Sequence, residues 1–377
     1  MRKVVYVTGT RADFGLMRST LQMLAAAEDI DLGILVTGMH LSAEFGSTWR
    51  EVEEAGLAIS ARVPVDVATR SRASMSASLG EAIIGITREL RILKPDAVIV
   101  LGDRGEMLAA AVVCLHLGIA LFHIHGGERS GTVDEPIRHC ISKMATWHLV
   151  TTDGSRERLV RMGERVDAIT VVGAPGLDGL YELASPTPHQ LLSRFGLQPS
   201  LPFVLVLFHP VVQQAESAAA QTAVLMDAVL ATGLQVLWVG PNSDAGSAGI
   251  LGKLGVWSED AIGRAYAVHL GRSEFATAMK HSAVIIGNSS SGIIEAATFG
   301  TPVINIGDRQ NLRERNVNVV DCEIEFQKLV HTLQQALSTG RYPRKNVYGN
   351  GNAGRAIVEA VRTASLDVAA MTKINTY

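Results

Sequence analysis

Short apolar runs recur along the chain, each followed by a longer segment of helical periodicity. In the first half they are Val4 to Val7, Leu32 to Val36, Ala97 to Leu101, Ala120 to Ile124, His148 to Thr151 and Ile169 to Val172, with helical patterns such as Met75 to Leu93 and Glu106 to Leu117 between them. A run of four or five apolar residues without alternation fits a strand buried on both faces, the condition of a parallel sheet covered by helices. An α/β protein is expected. A stretch with Gly173, Pro175, Gly176, Pro186 and Pro188 interrupts the pattern, which resumes with Phe203 to Phe208, Val236 to Val239, Val284 to Ile286 and Val303 to Ile306. The 377 residues therefore divide into two expected doubly wound, Rossmann-type domains, residues 1–175 and 176–351. Doubly wound sheets bind ligands at the carboxyl ends of their strands, so a ligand cleft between the halves is expected, with the motifs just after strands.

Charge narrows the ligand. Lys and Arg number 34 against 37 Asp and Glu, a formal charge of −3, so no basic field exists for nucleic acid or anionic lipid. Any bound anion must be gripped locally. The longest apolar stretch, Leu108 to Phe122, is broken by His116 and Gly118 and is shorter than the roughly 18 residues of a membrane span. Met1-Arg2-Lys3 runs straight into a strand-like segment without a signal-peptide pattern, and a cytoplasmic protein is expected. Cys114, Cys140 and Cys322 form no C-x-x-C pair and are expected to be reduced core residues.

The first strand ends in Thr8-Gly9-Thr10-Arg11-Ala12-Asp13-Phe14-Gly15, where a glycine turn, a helix start and the fork of Arg11 suit a phosphate. An Arg11 paired structurally with Asp13 would look the same. Gly287-Asn288-Ser289-Ser290-Ser291-Gly292 follows a strand in the second half and leads into a helix carrying Glu295. Its small residues let N–H groups and hydroxyls approach a diphosphate, and Glu295 can accept from both hydroxyls of a ribose; serines capping a helix beside a solvated Glu are the plainer reading. It is neither a Walker loop nor a nucleophile elbow, which leaves a sugar nucleotide.

Ionisable groups gather after three first-half strands: Asp103 and Arg104 in Gly102-Asp103-Arg104, then His123-Ile124-His125-Gly126-Gly127-Glu128, then Asp134 and Glu135. Such a set is acid–base equipment. His123 and His125 are expected to point the same way on a strand and could hold a metal with Asp103 or Glu128, but the spacing matches no metal motif and none is expected. Phe208-His209-Pro210 adds one more His, whose alternative is a packed structural role.

Together these elements resemble the UDP-N-acetylglucosamine 2-epimerase family, in particular its hydrolysing branch. The matching stretches also include Val36-Thr37-Gly38-Met39-His40, Asp134 to His139 and Ile306-Gly307-Asp308-Arg309-Gln310, and run colinearly from about residue 3 to 355. The resemblance implies a GT-B-like pair of Rossmann domains, with a C-terminal helix within about 352–377 rejoining the first. It implies a diphosphate held by Arg11, His209, Ser289, Ser290 and Arg309, a ribose on Glu295 and a uracil near Leu270 and Phe275. Arg104, Asn288 and Gly292 lie in the same matched elements and count as binding residues, and Asn242, in Pro241-Asn242-Ser243-Asp244-Ala245-Gly246, matches another position of the implied pocket. Non-hydrolysing members and some hydrolysing ones carry Glu where this chain has His125, while other hydrolysing sequences share its His. The His can itself move a proton, Glu128 three residues on offers a substitute carboxylate, and Val211-Val212-Gln213-Gln214 replaces the usual residues after Phe-His-Pro.

The reaction so implied is conversion of UDP-N-acetylglucosamine and water to N-acetylmannosamine and UDP. UDP leaves C1 as a proton leaves C2, and water adds to the resulting 2-acetamidoglucal with inversion at C2. Asp103 and Asp134 are expected to direct proton removal and water activation, His125 or Glu128 to reprotonate C2, and His209 to act at the diphosphate. No cofactor is implied, in keeping with the missing Gly-x-Gly-x-x-Gly fingerprint, and a homo-oligomer is. The same motifs serve a UDP-2,4-diacetamido-2,4,6-trideoxyglucose of legionaminic acid synthesis. A GT-B glycosyltransferase and a non-catalytic sugar-nucleotide binder are the rivals.

Overall fold

A computed structural model describes residues 1–376 except 68, 70–71, 131–133, 243, 245 and 259–261. Ser243 and Ala245 of the Pro241 to Gly246 segment, and Tyr377 of the C-terminal stretch, lie outside the described residues. The chain forms two compact units: Met1–Glu128, Val133–Asp178 and Tyr348–Tyr377 make the first, Arg129–Thr132 and Gly179–Val347 the second.

The first unit holds seven parallel strands: β1 (Arg2–Thr8), β2 (Ile30–Thr37), β3 (Ile59–Val63), β4 (Ala97–Leu101), β5 (Ala120–Ile124), β6 (Trp147–Val150) and β7 (Ile169–Val171). Their order is β3-β2-β1-β4-β5-β6-β7. The second holds six: β8 (Phe203–Leu207), β9 (Gln235–Val239), β10 (Arg264–Ala267), β11 (Val284–Gly287), β12 (Val303–Ile306) and β13 (Val319–Cys322), in the order β10-β9-β8-β11-β12-β13. In both sheets the order of strand addition reverses beside the first strand, between β1 and β4 and between β8 and β11, which creates the crevice where such sheets take ligands.

Every expected strand is present, and β3, β10 and β13 are additions. All three are edge strands. An edge strand is paired on one side only and keeps polar residues: Ser60 and Arg62 are exposed on β3, and Asp321 is exposed on β13. The central strands β4, β5 and β8 are buried at every residue, and for that reason their runs stand out.

The last long helix, Ala353–Thr363, returns to the first unit and packs on Arg11–Ala25, with Ile357 and Val361 fully buried in that core. Asp178 caps its start, accepting from the amides of Ala353 at 2.9 Å and Gly354 at 2.6 Å. Among the described residues no helix is long and apolar enough to cross a membrane. The cysteines depart from expectation: all are free, but only Cys114 is buried, Cys322 is half-buried and Cys140 is exposed on the Asp134–Met144 helix. Nothing in that helix's solvent face excludes a small thiol.

Candidate active site

In the first unit, Thr10 caps the Arg11–Ala25 helix and Asp13 completes a capping box. The Asp13 carboxylate accepts from the Thr8 hydroxyl, from the Gly9 amide at 3.0 Å and from the Thr10 amide at 2.9 Å. Burial nevertheless pushes its pKa up to about 6, against the lowering effect of those bonds. Arg11 is therefore not paired with Asp13. Its Nε lies 2.6 Å from Glu51, and its side chain is one-third exposed.

Asp103 follows β4 and is joined to Arg138, a side chain only 1% exposed. The same guanidinium donates to the Glu128 carbonyl at 3.0 Å. One arginine from the Asp134–Met144 helix thus ties together the strand ends that carry Asp103 and Glu128. His125 lies just past β5, at a left-handed φ of +65°. This bend parts it from His123, so the expected pair on one strand does not form. His123 stays in the sheet, with its ring nitrogens 3.0 Å from Ser142 Oγ and 2.8 Å from the Gly102 carbonyl, and burial pushes its pKa down to about 3. It is a neutral support for the Gly102–Asp103 turn.

The turned His125 ring brings Nδ1 to 2.8 Å from Glu128 Oε1. Thr151 donates to that same oxygen at 2.9 Å, while His125 Nε2 is buried and without a hydrogen-bond partner among the described residues. A His oriented by a buried carboxylate, with its second nitrogen unengaged, can pass a proton at a fixed point. Asp134 is the half-buried first residue of its helix, and Arg104 flanks the start of the Gly105–Leu117 helix.

In the second unit, His209 follows β8 and Asn288 follows β11. They exchange two hydrogen bonds of 2.8 Å, His209 N–H to Asn288 Oδ1 and Asn288 Nδ2 to the His209 carbonyl. The Asn242 backbone N–H donates to His209 Nδ1 at 3.1 Å, which leaves the ring proton on Nε2. Burial first, and Arg309 second, push the His209 pKa down to about 3. It is a neutral donor. Arg309 and Gln310 both donate to the Asn288 carbonyl, at 3.1 and 3.2 Å.

Gly287 sits at φ +148°, and a Cβ there would stand 2.0 Å from the Leu207 carbonyl oxygen, so only glycine allows β8 and β11 to close. Ser289 caps the short Ser290–Ile294 helix, as in the plainer reading of the serines, and accepts from Ser291 N–H at 3.4 Å. Ser290 begins that helix, and Gly292 packs on Val303. The solvated Glu of that reading is absent. Glu295 is 1% exposed and lies 2.9 Å from Arg272, yet no well-aligned hydrogen bond reaches either carboxylate oxygen among the described residues. Leu270 is buried and Phe275 half-buried at the start of the Arg272–His281 helix, and Asn242 is half-buried.

Sequence reading passed over Arg138, Thr151, Glu51 and Glu106. Arg138 lies inside the matched Asp134 to His139 stretch, but an arginine on a polar helix start reads as solvated until its helix is docked.

Two parallel Rossmann-type sheets, each with its polar groups at the switch point, define a GT-B-like α/β protein. The sequence model of the family described as UDP-N-acetylglucosamine 2-epimerase matches residues 22–362, and the chain belongs to that family. It is 43% identical, over the full length of both chains, to the UDP-N,N'-diacetylbacillosamine 2-epimerase (hydrolyzing) of Legionella pneumophila. It is 32% identical to the UDP-N-acetylglucosamine 2-epimerase of Neisseria meningitidis serogroup B, covering 93% of this chain and 92% of that one. The fold is shared with the crystal structure of UDP-GlcNAc 2-epimerase from Neisseria meningitidis bound to UDP-GlcNAc, at a TM-score of 0.81, 20% identity and coverage of 96% and 100%.

Proposed function

We propose that this chain is a hydrolysing 2-epimerase of a UDP-2-acetamido sugar. The observation that carries the reading is the His125–Glu128 pair held beside Asp103 by Arg138, since a nucleotide pocket alone would serve a glycosyltransferase or a sensor equally well. The hydrogen on C2 is not acidic, so its removal must accompany departure of UDP from C1. The C1–O bond breaks, its electrons go to the diphosphate, and the C2 proton passes to a base, giving a 2-acetamidoglucal. Arg11, His209, Arg309 and the turn from Gly287 to Gly292 supply donors for the departing charge, and Glu295 takes the ribose hydroxyls. Water then adds its oxygen to C1, and a proton returns to C2 from the other face. Asp103 and Asp134 direct proton removal and water activation, and the His125–Glu128 pair reprotonates C2.

The identity of 43% over the whole chain favours the UDP-2,4-diacetamido-2,4,6-trideoxy sugar as substrate, because the relative's name gives that sugar. UDP-GlcNAc is the second reading, supported by the Neisseria relative. The test incubates the purified chain with each sugar nucleotide in deuterated water. Release of UDP with deuterium at C2 of the free manno-configured sugar is expected, and the faster substrate names the enzyme. Unlabelled product, or sugar passed to an acceptor, would sink the epimerase reading. A homo-oligomer is part of the proposal and is read by light scattering.

A further inference from the structure

Glu106 is the second residue of the Gly105–Leu117 helix, directly after β4. Its side chain crosses the first unit's switch point and lies against two glycines from separate turns. A Cβ on Gly9, after β1, would stand 3.0 Å from Glu106 Cδ, and one on Gly38, after β2, would stand 2.5 Å from Oε1. Two turns thus omit a side chain where this one carboxylate lies. The group is 15% exposed; among the described residues its ion-pair partner is Arg104 at 3.9 Å, and no hydrogen bond reaches it.

A carboxylate stripped of most of its water and given no donors is costly to keep for stability, and it is placed close enough to Asp13 to disfavour that group's charge. Its chemistry selects the ligand. An anion is repelled. A bare cation would need further oxygen ligands, and the Asp13 oxygens beside it are already taken by amides and a hydroxyl. Neutral donors fit: hydroxyls or an acetamido N–H on a sugar ring.

We propose that Glu106 is a sugar-recognising residue, whose carboxylate accepts hydrogen bonds from adjacent ring donors in the crevice at the carboxyl ends of β1, β2 and β4. This rests on the reading of the chain as a UDP-sugar enzyme. Removing a charged acceptor of this kind weakens binding of the sugar and leaves the nucleotide grip alone.

The test is calorimetric titration of E106Q and E106A with UDP and with each sugar nucleotide, in an Asp103→Asn background so that substrate is not consumed. The expected result is unchanged UDP affinity, a loss of at least about tenfold for the preferred sugar nucleotide, and an unchanged melting temperature. Equal affinities for all ligands in variant and parent would overturn the assignment, as would an equal loss for UDP and sugar nucleotide. A lowered melting temperature with intact affinities would make Glu106 a structural residue. Failure of the epimerase reading would show elsewhere, as a parent protein with Asp103 restored that releases no UDP, and the binding comparison would still decide the role of Glu106.

Discussion

His125 Nδ1 lies 2.8 Å from Glu128 Oε1, and the contact exists because His125 adopts a left-handed backbone immediately after β5. A continued strand would have sent the ring to the other face. Strain of this kind persists where the surroundings hold it, here the hydrogen bond donated by the His125 backbone N–H to the Leu149 carbonyl and the buried Glu128.

His125→Gly and His125→Ala separate strain from chemistry. Both should lose about 100-fold or more in turnover while still binding UDP. The glycine variant should be the more stable of the two by about 1 kcal/mol, because only it adopts φ +65° at no cost. Denaturant melts and steady-state kinetics on both proteins decide it. An alanine variant as stable as the glycine one would show that the bend is unstrained.

Arg138→Met should cost about 2–3 kcal/mol and abolish turnover. It leaves the Asp103 carboxylate and the Glu128 carbonyl without their shared donor, and the figure sits below that of a fully buried pair because Asp103 is 23% exposed. Arg138→Lys should recover part of the stability but little activity, since one ammonium does not reproduce the planar fork. Recovery of turnover in the lysine variant would count against the bridging role.

Gly287→Ala should lose at least about 3 kcal/mol and UDP binding together, because the added methyl meets the Leu207 carbonyl across the β8–β11 pair. A soluble variant of parental stability would mean that these strands separate more easily than their hydrogen bonding suggests.

Glu295→Gln should weaken UDP binding by about 10- to 100-fold while changing 2'-deoxy-UDP binding far less. The carboxylate is buried, paired with Arg272 and lacks well-aligned donors among the described residues, so ribose hydroxyls are the partners it would gain. Equal losses for both nucleotides would remove it from the ribose.

Asp13 supplies a pH signature. Its folded pKa is raised from 3.8 to about 6, so the folded state holds that proton more firmly than the unfolded chain does. The stability this contributes is complete below about pH 4 and is lost as pH rises through 6, by up to about 3 kcal/mol. The difference in unfolding free energy between the parent and Asp13→Asn should therefore fall between pH 4 and 6.5 and level off above 7. A difference that rises over this interval would reverse the sign assigned to burial.

Local chemistry was readable in the chain itself. Runs such as Ala97 to Leu101 and Phe203 to Phe208 are apolar without interruption because central parallel strands are covered on both faces, and Gly9, Gly287 and the residues after them mark turns whose geometry depends on a few neighbours. The strand order within each sheet was not read from the sequence, and β3, β10 and β13 escaped notice because an edge tolerates Arg62 or Asp321. What tertiary structure alone decided are the pairings between distant positions. Arg138 reaches Asp103 across 35 residues, Arg11 chooses Glu51 over Asp13, and Glu106 fills the space left by Gly9 and Gly38. A side chain's partner is set by which turns the packed sheet brings together, and no periodicity within one segment records that.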